Sequence, residues 1–199
     1  MADHNYDLHG NAPDSHPVAL LLVDVINPCD FPQAGDFLRN ALPAAKKIGA
    51  LKQRAIEAGV PVIYANDNFG RRRSDLAAVV QRCLEPGCKG RPLCETLRPD
   101  EKDYFVLKPK HSAFYSTTLD VLLRALKTRS LVVCGFAANI CVLFTANDAY
   151  MRDFHLVVPA DCVASNTSQE NEAALAQIAQ ILKADTGHSE RVDFECLAR

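Results

Sequence analysis

Positive charge is not in excess in this chain. Its 22 Lys and Arg face 24 Asp and Glu, a formal net charge of −2, so no basic field recruits nucleic acid. No apolar run approaches the roughly 20 residues that cross a bilayer, which excludes a membrane-spanning helix. The opening stretch MADHNYDLHGNAPDSHP is polar throughout, unlike a secretory signal with its apolar centre. Residues 1–16 are expected to form a flexible arm, or an arm packed on a partner subunit, ahead of a single domain over residues 17–199. There is no internal repeat, no low-complexity linker and no CxxC pair. The eight cysteines therefore do not read as a secreted disulfide scaffold, which would be short and loop-rich. A cytoplasmic protein with reduced thiols is expected.

What is present alternates. PVALLLVDV (Pro17–Val25) is a continuous apolar run, as a strand covered on both faces requires. PAAKKIGALKQRAIEAG (Pro43–Gly59) carries Ile48, Leu51, Ala55 and Ile56 on one helical stripe, with Pro43 suited to a helix start and Gly59 to its C-terminal cap. PVIYAND, DYFVLKP, SLVVCG and HLVVPAD read as further strands. Helices are expected around Arg73–Cys83, over TTLDVLLRALKT, over Asn139–Arg152 and over SQENEAALAQIAQILKA, with RVDFECL as a short last strand. CLEPGCKGRPLCETLRPDE has no clear period and is expected to be a long loop. Strands alternating with helices imply a three-layer α/β/α, Rossmann-type fold on a mostly parallel sheet of about six strands.

Ligands of such sheets bind at the carboxyl ends of the strands. Asp24 ends the first strand, Asn66 and Asp67 the second, Lys108 the third, and Gly135–Cys141 follow the fourth. An acid, an ammonium and a thiol thus converge on one edge. A thiol is a weak nucleophile until deprotonated. At Cys141 a helix N-terminus and the Lys108 ammonium would both favour thiolate, and Asp24 could accept the thiol proton and pass it to a leaving amine. Backbone N–H groups in the turn before Cys141 could stabilise an oxyanion, with the small Ala137 and Ala138 letting a substrate approach. Alternatively, Cys141 is a small buried hydrophobe, as most free cysteines are.

Together, LLLVDV, VLKPKHSAFYSTTL and VVCGFAANICVLFTANDAY, in that order and at the expected strand ends, resemble the isochorismatase-like cysteine hydrolase superfamily. This group includes nicotinamidases, N-carbamoylsarcosine amidohydrolases and ureidoacrylate hydrolases. The resemblance spans roughly residues 17–165. It implies a catalytic triad of Asp24, Lys108 and Cys141, with oxyanion donors at the N–H groups of Cys141 and Ala137 and a cis Phe136–Ala137 peptide. It implies hydrolysis of a small amide, carbamoyl or ureide C–N bond through a thioester, in which Asp24 protonates the leaving amine and activates water. It also implies a homo-oligomer, dimer or tetramer. Relatives with isochorismatase activity lack the cysteine and cleave an enol ether, so Cys141 favours C–N hydrolysis. A non-catalytic relative that binds a small molecule or senses redox state is the reading from a different class.

The departures matter too. Nicotinamidases carry an Asp-x-His motif after the second strand. Here Asp67 is followed by Asn68 and Phe69, with no histidine in the segment, so no metal, no cofactor and no nicotinamide substrate are expected. The usual Gln two residues after the first Asp is Ile26, followed by Asn27, and NPCDF is about two residues longer than the usual spacing to Phe31. The pocket wall beside Asp24 is therefore altered, and Cys29, in that insertion, is expected to be a bystander. In Arg71–Arg73, Arg72 could clamp a substrate carboxylate through its guanidinium fork, or the run could be a solvated loop. Substrate contacts are expected from Asn27, Phe31, Asp67, Arg72, Phe114, Phe136, Asn139 and Ile140. His111 could contact substrate or lie on the surface. Cys83, Cys88 and Cys94 lack the spacing of a structural zinc site and are expected to be loop cysteines at a subunit contact.

Overall fold

The computed structural model describes residues 14–67 and 75–199. The run Arg71–Arg73 and the start of the expected arm lie outside the described residues. In chain order the elements are β1 (Val18–Val23), α1 (Ala34–Glu57), β2 (Val62–Asp67), α2 (Leu76–Cys83), α3 (Arg91–Thr96), β3 (Tyr104–Lys108), α4 (Leu119–Ala125), β4 (Ser130–Phe136), α5 (Leu143–Tyr150), β5 (His155–Val157), β6 (Val163–Ala164), α6 (Ser168–Ile181) and α7 (Phe194–Leu197). The sheet has six strands in the order β3-β2-β1-β4-β5, with β6 pairing the end of β4. Every pairing is parallel.

All six residues of β1 are fully buried, and the pleat divides them between two cores. Val18, Leu20 and Leu22 face the core formed with α1, α2 and α3, while Ala19, Leu21 and Val23 face that of α4, α5 and α6. Period-2 alternation is hidden in the sequence because both faces need apolar side chains. The two layers of helices follow from the same fact.

Three local expectations are corrected. The first helix starts at Ala34, so Pro43 lies inside it. An interior proline costs about 3 kcal/mol through one lost hydrogen bond and a clash. Burial of Phe37, Ala41, Ala44, Ala45, Ile48, Leu51 and Ala55 along one stripe offsets that cost, while Ile56 is exposed. Helix α1 does end as expected, with Gly59 at φ 71° just past its cap. The expected last strand is instead a 3-10 turn and α7. Arg54 of α1 donates to the carbonyls of Ser189 and Val192, and the Asp193 carboxylate accepts the Cys196 N–H. These contacts hold the segment against α1 without a ladder. Finally, the segment expected as a loop contains α3, and it packs tightly. A Cβ on Gly90 would fall 1.7 Å from the Asn27 carbonyl oxygen, and the Gly90 N–H donates to Pro28 at 3.1 Å.

The edge strand β3 is held in place by a buried pair. Lys52 of α1 meets Asp103 at 2.6 Å and donates to Tyr64 of β2 at 3.0 Å. This tether fixes the approach of the strand that carries Lys108.

Candidate active site

Strand order reverses between β1 and β4. From β1 the chain moves outward to β2 and β3, then returns to β4 on the other side of β1. Such a reversal leaves a crevice at the carboxyl ends of the two central strands. Asp24 lies at the end of β1, and Cys141 lies one turn past β4.

Lys108 joins them. Its ammonium sits 2.8 Å from Asp24 Oδ2, 3.2 Å from the Lys110 carbonyl and 3.5 Å from Cys141 Sγ. Three N–H groups meet three acceptors, so its donors are fully used. The other Asp24 oxygen accepts the Asp67 N–H at 2.7 Å. Asp24 is 5% exposed, Lys108 0% and Cys141 8%. The backbone of Asp24 is left-handed, with φ 52°, and its N–H is held by the Ala65 carbonyl at 2.9 Å. This conformation is uncommon for a non-glycine residue, and Asp is among those that tolerate it best. It turns the carboxylate back over the strand ends.

The turn that carries Cys141 has its own geometry. Gly135 has φ 138°, and a Cβ there would lie 2.0 Å from the Val23 carbonyl oxygen. Only glycine lets β4 lie this close to β1 at the site. The Phe136–Ala137 peptide is trans, contrary to the expected cis bond, and the chain reverses instead through Ala137 at φ 55°. Residues Ala138–Val142 form a π-helical turn ahead of α5, a widened geometry that recurs at functional sites. The Ala137 carbonyl accepts the N–H groups of Ile140 and Val142 at 2.9 and 3.3 Å, and the Asn139 N–H donates to Ser165 Oγ at 3.3 Å.

Electrostatics differ from the expectation for the thiol. Burial pushes Cys141 up to about 12, and the charge and hydrogen bond of Asp24 push the same way, while Lys108 pulls it down without prevailing. Burial likewise pulls the Lys108 ammonium down, but Asp24, the Cys141 sulfur and Asp67 together outweigh it and raise it. Burial and Asp24 thus favour the neutral thiol at Cys141, and Lys108 is held as an ammonium beside it.

The remaining expected residues fall into three groups. Asp67 is at the site through its N–H. Asn139 and Ile140 lie in the turn just before Cys141, Asn139 half-buried and Ile140 38% exposed. Phe136, Phe31, Phe114 and Asn27 are engaged in packing. Phe136 meets Phe37 edge-on at 5.5 Å, and Phe31 meets Phe37 at 5.6 Å. Phe114 is covered by the Arg152 guanidinium at 4.7 Å and by Phe154 at 6.1 Å. Asn27 closes its own loop by accepting the Cys29 N–H at 2.8 Å. Arg72 lies outside the described residues.

Other contributors carried little signal in the sequence. Asn66, fully buried, accepts the Ile26 N–H at 3.2 Å and donates to its carbonyl at 2.6 Å, strapping down the loop after Asp24. Ser112 donates to Asp148, and Thr145 accepts the Ala113 N–H at 3.0 Å, bolting the Lys110–Phe114 loop to α5. His111 Nδ1 lies 3.9 Å from Cys141 Sγ. Its position directly after Lys110, three residues past Lys108, is the one cue that could have placed it there. Among the described residues no group of three or more His, Cys, Asp and Glu could hold a metal ion.

Comparisons with known proteins agree with this architecture. A family model described as the Isochorismatase domain matches residues 18–188. The uncharacterized isochorismatase family protein YaaI of Bacillus subtilis is 39% identical over 174 residues, covering 87% of this chain and 95% of that protein. A ureidoacrylate amidohydrolase, RutB, of Methylorubrum extorquens is 41% identical over 91 residues, but the match spans 46% of this chain and only 36% of that protein. The crystal structure of N-carbamoylsarcosine amidase from Thermoplasma acidophilum superposes with a TM-score of 0.70 at 25% identity, over 88% of this chain and 98% of that one.

Proposed function

The chain belongs to the isochorismatase family of hydrolases, and on that premise we propose that it hydrolyses a small amide, carbamoyl or ureide C–N bond through a thioester on Cys141. The observation that carries this reading is the single ammonium of Lys108 in contact with both Asp24 and Cys141. Amide-cleaving relatives, among them the ureidoacrylate amidohydrolase and the N-carbamoylsarcosine amidase, support the reaction class.

Cys141 Sγ attacks the carbonyl carbon as its proton moves to Asp24. The oxyanion is received by the N–H groups of Ala137 and Cys141. Asp24 then gives its proton to the nitrogen as the C–N bond breaks, and ammonia or an amine departs. Lys108 holds the Asp24 carboxylate in place and offsets negative charge on the sulfur. Water hydrolyses the thioester and restores the thiol. The substrate is a small molecule taken from solvent at the carboxyl edge of the sheet. No described helix is long and apolar enough to cross a membrane, and we place the enzyme in the cytoplasm, with its cysteines reduced. The exposed side chains Phe105, Tyr115, Val121, Tyr150 and Met151 support a homo-oligomer.

Ammonia release from a panel of carboxamides, N-carbamoyl amino acids and ureido acids tests the reading, with Cys141→Ala as control. Turnover by the parent chain and none by the variant is the expected result. Undiminished release by the variant would sink the covalent route. Pyruvate release from isochorismate, independent of Cys141, would move the chain to enol-ether chemistry.

A further inference from the structure

The thiol of Cys141 has two sides. Asp24 and Lys108 occupy the buried side. On the other stands His111, exposed to solvent, with Nδ1 3.9 Å from Sγ. Its ring rests against Phe144 of α5, with centroids 5.5 Å apart at 54°. The loop that carries it is pinned to α5 through Ser112–Asp148 and Ala113–Thr145, and Ser112 Oγ also accepts the Phe114 N–H at 3.1 Å. The loop that carries His111 is thus held by the helix that directly follows the π-helical turn of Cys141. Such anchoring keeps a reacting group near its working geometry without reorganisation.

The two halves of a thioester reaction make different demands. In the first, the proton to be moved starts on sulfur, and Asp24 is beside it. In the second, water must approach the acyl carbon from the side that the leaving group vacated. Asp24 lies on the buried side of the sulfur, with its oxygens on the Asp67 N–H and the Lys108 ammonium, whereas His111 stands on the exposed side from which water arrives. An imidazole there has a ring nitrogen free to accept a proton from water within reach of the acyl group on sulfur.

We propose that His111 is a catalytic residue for the deacylation half-reaction, acting as the base that activates water against the Cys141 thioester. This rests on the reading of Cys141 as the acylated nucleophile. With its proton on Nε2, His111 Nδ1 accepts a proton from water as the water oxygen bonds to the acyl carbon. The tetrahedral adduct collapses, the C–S bond breaks, and the imidazolium returns that proton to sulfur. The acid product leaves, and Cys141 is again a thiol. The net reaction consumes one water and needs no other reactant.

p-Nitrophenyl acetate tests this without knowledge of the natural substrate, since it acetylates a reactive thiol and releases nitrophenolate. The parent chain should give a Cys141-dependent burst followed by steady turnover. His111→Ala should keep the burst and lose steady turnover by about 100-fold, and mass spectrometry should find the acetyl group retained on Cys141. Added imidazole should restore turnover. A burst followed by unchanged steady turnover in H111A overturns the role of His111 alone. Loss of burst and steady turnover to the same extent, in a variant that melts like the parent, also overturns it. Absence of any Cys141-dependent burst in the parent chain overturns Cys141 as the acylated nucleophile and this inference with it.

Discussion

Lys108 and Asp24 meet at 2.8 Å in a place where the ammonium side chain has no exposure and the carboxylate 7%. Desolvation consumes most of what such a pair gains, but removing one member leaves an unpaired buried charge. Lys108→Met should therefore destabilise the fold by about 3–5 kcal/mol, read from urea denaturation midpoints. The double variant Asp24→Asn with Lys108→Met should recover much of that loss while remaining inactive. Equal stability of K108M and the parent would show that the pair is open to water in solution.

Alkylation of Cys141 by iodoacetamide should be slow at neutral pH. A thiol pushed up to about 12 by burial and by Asp24 should react about tenfold faster per unit of rising pH, with no plateau at or below about pH 10. Asp24→Asn removes a negative charge that opposes thiolate, so alkylation should quicken. Lys108→Met removes the cation that favours thiolate, so it should slow. A plateau near neutrality in the parent chain would contradict the electrostatic account.

Gly135→Ala should be among the most damaging single changes. Its Cβ would lie 2.0 Å from the Val23 carbonyl oxygen, at a φ of 138°. Backbone must move to admit it, and a loss of more than about 4 kcal/mol is expected, seen as failure to fold or a collapse in melting temperature. Gly35→Ala, with nothing within 4 Å of the added carbon, is the matched control and should be tolerated.

Asp148→Ala should act at a distance. It releases Ser112, and it also removes the partner of Arg152 at 3.1 Å. Amide exchange over residues 110–117 should rise. Steady turnover of p-nitrophenyl acetate should fall several-fold as His111 loses its fixed position, while iodoacetamide still reaches Cys141 at the parent rate. Unchanged exchange would mean that Thr145 alone holds the loop.

Much of the layered fold was legible because buried parallel strands read as apolar runs, and five of the six strands stand where such runs occur. The sixth, β6, has two residues, too short for any pattern to register. Pro43 misled because proline is a local signal, and the stripe from Phe37 to Ala55 outweighs it through tertiary burial. RVDFECL alternates like a strand, but the Val192 carbonyl is claimed by Arg54, a partner far away in sequence, and Asp193 caps a short helix. At the site, the strand-end rule brought Asp24, Lys108 and Cys141 to one edge. It could not show that Asp24 takes a left-handed backbone, that Ala137 turns the chain through positive φ with a trans peptide, or that Phe114 is claimed by Arg152. Each of these depends on packing between segments that have no common sequence pattern. His111 was visible as a residue, but its nearness to sulfur depends on how Ser112 docks on α5.

Strand order also has a consequence for how the protein reaches this state. Lys108 stands on the edge strand β3 and reaches past the end of β2 to touch residues that follow β1 and β4. Four strands must therefore be in register before the three side chains can meet, and each pairing is non-local, which makes such assembly slow. A probe that reads the Lys108–Cys141 contact during refolding should report last, after compaction and helix formation are over. No fragment that omits β3 can assemble the triad, however well the remainder folds.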